Sequence, residues 1–181
     1  MMHIETPFGP AWAKVNAAGS LTAFGFGSGG ADGLAVCVQR QVDEYFEGRR
    51  RTFDLALEPA GTPFQKRVWA ELQRIPFGET IGYAELARRV DRPGAARAVG
   101  RANATNPIAL IVPCHRVIGS DGKLTGYAYG IALKEKLLQW ERTLWVGKGG
   151  PMALQATQRH EDDVGRALAC SRLQAALRAC G

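Results

Sequence analysis

The apolar run Ile108, Ala109, Leu110, Ile111 and Val112, closed at once by Pro113, constrains this chain more than any other feature. It has the length of one buried strand and falls far short of the roughly 18 residues needed to cross a bilayer. No other apolar run approaches that length, so neither a membrane span nor a membrane partner is expected. A proline cannot continue a central strand, so the chain should leave its core at Pro113 and deliver Cys114 and His115 at the exit. A side chain in that position is held rigidly and can still face a cleft.

At 46% hydrophobic and 22% charged, the 181 residues have a globular balance that excludes wholesale disorder. Lys14 is the only Lys or Arg among the first thirty residues, and that stretch lacks a continuous apolar segment before a small-residue cleavage site. It does not read as a secretory or transit peptide, and a cytoplasmic address is expected. Cysteines at 37, 114, 170 and 180 form no CxxC pair, and histidines at 3, 115 and 160 form no ligand cluster, so neither a metal nor a cofactor is expected. Without an export signal the thiols are expected to be reduced.

The net charge of +6 is unevenly spread. Residues 1–61 carry five basic and seven acidic side chains, residues 62–147 thirteen and seven, and residues 148–181 five and three. The middle segment is therefore the basic one, as a polyanion-binding region would be, although solvated Lys and Arg give the same count.

Local patterns divide the chain further. Residues 11–15 and 20–26 read as short strands separated by glycine punctuation. From about Ala35, helical spacing places Val38, Val42, Tyr45 and Phe46 on one face, ended by Gly48 and the Arg49, Arg50, Arg51 run. Phe53, Leu55 and Leu57 alternate as a half-buried strand would, and Pro59 with Gly61 marks a linker. Thr62 and Pro63 read as an N-cap and first helical residue, opening a helix with Phe64, Val68, Trp69 and Leu72 on its apolar face. Pro76 and Gly78 stop it, and Thr80 opens a shorter helix carrying Tyr83, Leu86, Ala87 and Val90. A turn at residues 91–94 leads into a further helix at 95–103, and the pair reads as a helix-turn-helix.

The second helix of that pair is thin. Apart from Val99 and the polar Arg97, Arg101 and Asn103 it is all alanine and glycine, so its backbone could approach another surface closely. Tight packing against another helix would use the same composition. Arg97 and Arg101, four residues apart, share a face, and a phosphate backbone needs two cations there more than a core does.

A free thiol near pKa 8.5 is only slightly ionised at neutral pH, and an imidazole acting directly or through one water is the usual remedy. His115 is the adjacent base. Such a histidine needs a carboxylate to fix its tautomer, and Glu141, expected at the end of a helix over residues 133–140, is the candidate; a surface ion pair is its bland alternative.

Residues 62–141 resemble the O6-alkylguanine-DNA alkyltransferases, the methylated-DNA–protein-cysteine methyltransferases. The resemblance is carried by Phe64-Gln65 with Val68-Trp69, Ile75-Pro76-Phe77-Gly78-Glu79-Thr80 with Tyr83, Ala95-Ala96-Arg97-Ala98-Val99-Gly100, Asn106-Pro107, Pro113-Cys114-His115-Arg116-Val117, Gly126-Tyr127, and Lys134 with Leu137-Leu138 and Glu141. It implies an α+β fold: a small ribonuclease-H-like sheet domain at residues 1–61, then a helical winged-helix-like domain at 62–147 carrying the helix-turn-helix and the site. Residues 148–181 match nothing in the family; Val164, Leu168, Leu173 and Leu177 would make a weak amphipathic helix, with disorder the alternative, and Cys170 and Cys180 are expected to be bystanders.

The resemblance also implies roles. Cys114 takes the alkyl carbon from guanine O6, with Glu141, His115 and a water drawing off its proton. Tyr83 donates to N3 of the leaving base, and Asn106 orders the turn that holds the cysteine. Tyr127, Ala128 and Ser120 line the pocket, and Lys134 supports its electrostatics. Arg97 enters the duplex in place of the extruded nucleotide while the thin helix, with Ala98, Gly100, Arg101 and Arg92, lies in the minor groove. The implied partner is double-stranded DNA containing O6-alkylguanine, with O4-alkylthymine as a further substrate, bound by a monomer that can act cooperatively.

Tyr129 stands where the family usually has Gly or Trp, and a tyrosine there would narrow the pocket against bulky adducts. Three other readings compete. A binding-only relative would carry another residue, typically Trp, in place of Cys114. A helix-turn-helix regulator would use the cysteine as a redox sensor. A Cys-His-Glu hydrolase would turn over.

Overall fold

The computed structural model describes residues 4–29 and 36–147, and the tail expected to be helical or disordered, with Cys170 and Cys180, lies outside them. The described chain is a mixed α+β structure. Strands β1 (Ala11–Val15) and β2 (Leu21–Phe26) form an antiparallel hairpin, followed by helix α1 (Val36–Phe46). Helix α2 (Pro63–Gln73), the short strand β3 (Ile81–Gly82) and helices α3 (Tyr83–Arg89) and α4 (Ala96–Ala104) come next. A single 3₁₀ turn (Cys114–Arg116) leads into β4 (Val117–Ile118), which pairs in parallel with β3, and α5 (Ile131–Gly147) closes the described chain. Among the described residues no helix is long and apolar enough to cross a membrane, and no group of His, Cys, Asp and Glu could hold a metal ion.

Local chemistry explains why α2 starts where it does. The Thr62 hydroxyl accepts from the Gln65 backbone N–H while the Gln65 side chain accepts from the Thr62 N–H, a reciprocal capping box with Pro63 just inside. Such a cap contributes on the order of 1 kcal/mol. The apolar face then buries Val68, Trp69 and Leu72, and the Trp69 indole donates to the Ala102 carbonyl at 2.8 Å, fastening α2 to α4. The two helices after α2 are short and meet at the turn around Gly94, as their sequence suggests.

Apolar side chains from both sides of residue 61 pack into one core. Phe24 of β2 bridges to Ile108, and Tyr45 and Phe46 of α1 pack edge-on against Phe77 and obliquely on Trp140 respectively. Arg51 lies over the rings of Phe77 and Trp145, so the arginine run after α1 serves this junction as well as the helix end. Arg50 is buried and ion-paired to Glu44 at 2.7 Å.

Four expectations need correction. Residues 108–112 are buried but do not form a strand: Leu110 has φ +66°, and the Val112 N–H donates to the Ile108 carbonyl, so the chain folds into a turn. Phe53, Leu55 and Leu57 form no strand either; Leu57 makes one isolated bridge to Leu21. Glu141 is not at a helix end, because α5 runs on to Gly147, which places the carboxylate in the helix interior facing the core. Cys37 is disulfide-bonded, against the expectation of reduced thiols.

Candidate active site

The turn that replaces the expected strand is what holds the cysteine. Asn106, itself buried, donates from its carboxamide to the carbonyls of Ile108 and Val112, and its oxygen accepts from the Ile108 N–H. One side chain thereby replaces the ladder that a strand would have used to satisfy these backbone groups. Asn103 of α4 reaches across to the Cys114 carbonyl at 3.3 Å, tying the thin helix to the same turn. The 3₁₀ turn then sets Cys114, His115 and Arg116 in succession, all three buried, with His115 and Arg116 both reaching Glu141.

Cys114 is the free cysteine among the described residues, and it is 4% exposed; His115, Lys134 and Glu141 are all at 0%. Burial raises the thiol above its usual value, while the Asn106 carboxamide, the Lys134 ammonium and the Tyr127 hydroxyl favour the thiolate without overcoming that penalty. At rest the site holds a thiol, which needs a base to ionise it.

His115 Nε2 lies 2.9 Å from Glu141 Oε1. With a hydrogen on Nε2 facing the carboxylate, Nδ1 carries the free lone pair, and Nδ1 is buried without a bond to any protein atom. Burial depresses the imidazole below its usual value and outweighs the opposing pull of Glu141, so the ring is neutral and able to accept a proton.

Glu141 is the centre of the network. Its oxygens accept from the Tyr45 hydroxyl at 2.6 Å, the Gly78 backbone N–H at 3.0 Å, and Arg116 Nε and Nη2 at 2.9 to 3.2 Å, besides meeting His115. Burial by itself would raise the carboxyl, but the charge and hydrogen bonds of His115 and Arg116 hold it well below the usual carboxylate range. It is ionised at neutral pH. Gly78 can supply its N–H because its φ is +80°, and a Cβ there would stand 3.0 Å from that of Trp145. Arg116 is anchored in turn by donating to the Ile75 carbonyl at 2.6 Å and lying over the Phe77 ring.

Lys134 donates to the carbonyls of Val117 and Thr125 at 2.6 and 2.9 Å. Burial lowers its ammonium from the usual value, against the stabilisation that a Cys114 thiolate would give it. The Tyr127 hydroxyl is buried close enough to Cys114 for the two ionisations to oppose each other, yet it makes no hydrogen bond of ordinary geometry. Tyr129 packs edge-on against Tyr127 and against Phe26 of β2, and a Cβ on Gly25 would collide with its hydroxyl. The Tyr83 hydroxyl accepts from Thr125 at 3.3 Å, and Gly100 of α4 sits over the Tyr83 ring, where a Cβ would come 3.6 Å from the ring atoms.

On the outer side, Arg97, Ala98 and Arg101 are exposed on α4, and Arg92 is exposed in the turn before it. Thr62, Phe64, Gln65, Arg97, Arg101 and Ala102 line an open groove of about 590 Å³ between α2 and α4. The thin helix thus has one face tied to the cysteine turn and one face open with two arginines.

The model of the 6-O-methylguanine DNA methyltransferase DNA-binding domain matches residues 63–143. The methylated-DNA–protein-cysteine methyltransferase of Methanosarcina mazei is 59% identical over 104 residues, which are 58% of this chain and 66% of that protein. The Mycobacterium tuberculosis protein of the same name is 56% identical over 103 residues, 57% of this chain and 62% of its own. The matched stretch thus spans just under two thirds of these curated relatives. Among solved structures, the Mycobacterium tuberculosis O6-methylguanine methyltransferase superposes with a TM-score of 0.71 at 41% identity, covering 84% of this chain and 94% of that one. The chain belongs to this methyltransferase family. The Mycobacterium tuberculosis OGT protein solved in complex with DNA superposes with a TM-score of 0.66 at 41% identity, covering 74% and 93%.

Of the residues singled out from the sequence, Cys114, His115, Asn106, Lys134, Tyr127 and Glu141 converge on one buried site, with Tyr83 beside it. Ser120 and Ala128 lie on the exposed loop leading to α5. The sequence reading gave no role to Arg116, Tyr45 or the Gly78 N–H, all of which hold Glu141. An arginine inside an otherwise apolar Pro-Cys-His context was a signal for the first. Tyr45 sat on an apolar helix face and carried none.

Proposed function

We propose that this chain is a DNA-repair protein that transfers the alkyl group of O6-alkylguanine in duplex DNA irreversibly to Cys114. The observation that carries this reading is a buried thiol next to a neutral imidazole whose far nitrogen is held by an ionised, fully donated carboxylate. That arrangement suits a nucleophile ionised only when substrate is in place.

In the proposed reaction, Nδ1 of His115 takes the thiol proton through a water while Glu141 stabilises the imidazolium. The Cys114 sulfur attacks the alkyl carbon in line, the C–S bond forming as the C–O6 bond breaks. Tyr83 passes a proton to N3 of the departing guanine and is reprotonated through water from the His115 imidazolium. Exchange of the N3 proton to N1 through solvent restores unmodified guanine in the strand, so the net change is one thiol hydrogen exchanged for one alkyl group. Lys134 and Asn106 support the thiolate, and Tyr127, Ala128 and Ser120 form the pocket. The alkyl carbon is unreachable inside stacked DNA, so the nucleotide is extruded at a cost of a few kcal/mol. Arg97 fills its place while Ala98, Gly100, Arg101 and Arg92 hold α4 in the minor groove. The thioether product has no route to hydrolysis here, so each molecule acts once.

Finer features belong to the same proposal: a ribonuclease-H-like unit over residues 1–61, a winged-helix-like unit over 62–147, a monomer that binds DNA cooperatively, a cytoplasmic address, and activity on O4-alkylthymine. Tyr129, packed between Tyr127 and the β2 strand, narrows the pocket against adducts larger than methyl.

The test is stoichiometry. With methylated duplex in large excess, transfer should rise to one methyl per protein and stop. Continued release of methanol would instead establish a hydrolase, and tight binding without transfer a recognition protein.

A further inference from the structure

Tyr45 lies in α1, far from the cysteine motif in sequence, yet its hydroxyl donates to the same Glu141 oxygen, Oε1, that meets His115, over a separation of 96 residues. It is fully buried. Its ring stacks on Phe53 at 5.4 Å and packs edge-on against Phe46 and Phe77. Three aromatic rings therefore hold the phenol in place with its hydroxyl on Glu141, which is a costly arrangement for a group with no task beyond filling space.

We infer that Tyr45 is a positioning residue for the alkyl transfer proposed above, orienting Glu141 and sharing with His115 the charge of Oε1, the carboxylate oxygen that both contact. The phenol and His115 compete for one carboxylate oxygen. Each donor on that oxygen reduces the negative charge left to stabilise an imidazolium. The other groups facing this cluster are Arg116 on the carboxylate, Lys134 of α5 near the imidazole, the Gly78 N–H from the turn after α2, and Tyr127 and Cys114 on the far side. All except Tyr45 and Gly78 belong to the segment that runs from the cysteine turn to α5. The phenol is thus the one side chain through which residues before Thr62 touch the proton relay among the described contacts.

Removing the hydroxyl leaves more charge on Oε1, favours the imidazolium and raises the pH at which His115 becomes neutral. The acid limb of the transfer rate should move to higher pH. The experiment measures single-turnover methyl transfer from an O6-methylguanine duplex across roughly pH 5 to 9, on the full chain and its variants. Tyr45→Phe should slow transfer about tenfold at neutral pH and move the acid limb up by about half a unit or more, with DNA affinity unchanged. Phe53→Leu loosens the same ring while keeping the phenol, and should lower the melting temperature without moving the limb. Should Tyr45→Phe fold poorly, 3-fluorotyrosine installed at position 45 retains the ring and strengthens the donor, and it should move the limb to lower pH. An unshifted limb in both position-45 variants, with any rate loss tracking the melting temperature, would overturn the inference. Absence of transfer in the unmodified protein would instead sink the reaction itself, so the two failures are distinct.

Discussion

The two sides of α4 use opposite physics. Its inner face buries Val99, Ala102 and Asn103 against the core, and Asn103 donates to the Cys114 carbonyl of the turn that leads to His115, which lies 2.9 Å from a Glu141 carboxylate accepting from four donors. Its outer face shows Arg97, Ala98 and Arg101 to solvent with no ion pair among the described contacts. Chemistry on the inner side requires groups that cannot move, and the core supplies that rigidity. Recognition of a polyanion on the outer side requires cations that are not already neutralised, and the surface leaves them so. A helix built largely from alanine and glycine can serve both faces because little side-chain bulk separates its backbone from what lies on either side.

This contrast can be broken most severely on the inner side. Glu141→Gln leaves Arg116 buried without its counter-charge and should destabilise the fold by about 3–5 kcal/mol, with transfer reduced at least about a hundredfold. Chemical denaturation together with single-turnover kinetics measures both. On the outer side, Arg97→Ala should leave stability within about 0.5 kcal/mol yet slow transfer from duplex DNA by about ten- to a hundredfold. Transfer from an alkylated free base should be spared, because nothing needs extruding. If Arg97→Ala slowed both substrates equally, the separation of the two faces would be wrong.

A smaller effect should distinguish positioning from chemistry. Arg101→Ala should weaken binding to any duplex and reduce the slope of log affinity against log salt by about one, without changing the transfer rate at saturation. The smallest effect concerns pH. His115 is held below its unfolded value near 6.5, so the unfolded chain takes up the proton first, and stability present above that pH is lost as pH falls through it. Glu141 is depressed, so its contribution persists above the unfolded carboxylate value near 4.3 and is lost only on further acidification. Melting temperature against pH should therefore fall in two steps, and Glu141→Gln should remove the lower one.

Much of this was legible in the sequence because it rests on local rules. The N-cap at Thr62, the short strands β1 and β2, and the paired short helices follow from residue types within a few positions of one another. The misread elements depended on distant partners. Residues 108–112 have the composition of a strand, but the Asn106 carboxamide supplies their backbone with bonds that pattern cannot reveal, and Leu110 pays for the turn with a positive φ. Glu141 read as a helix-end charge because its donors lie in the turn after α2, in the cysteine turn and in α1. Tyr45 was legible only as a core residue, since a hydroxyl at the buried end of an aromatic side chain looks the same from sequence whether it has a partner or not.

The most direct measurement is the mass of the intact protein after incubation with O6-methylguanine duplex, followed by mapping of the modified peptide. The account predicts one methyl in place of one hydrogen, carried by Cys114, and none on Cys114→Ser although that variant still binds the duplex. A methyl on another residue, or an unmodified Cys114 after the lesion has disappeared, would contradict it.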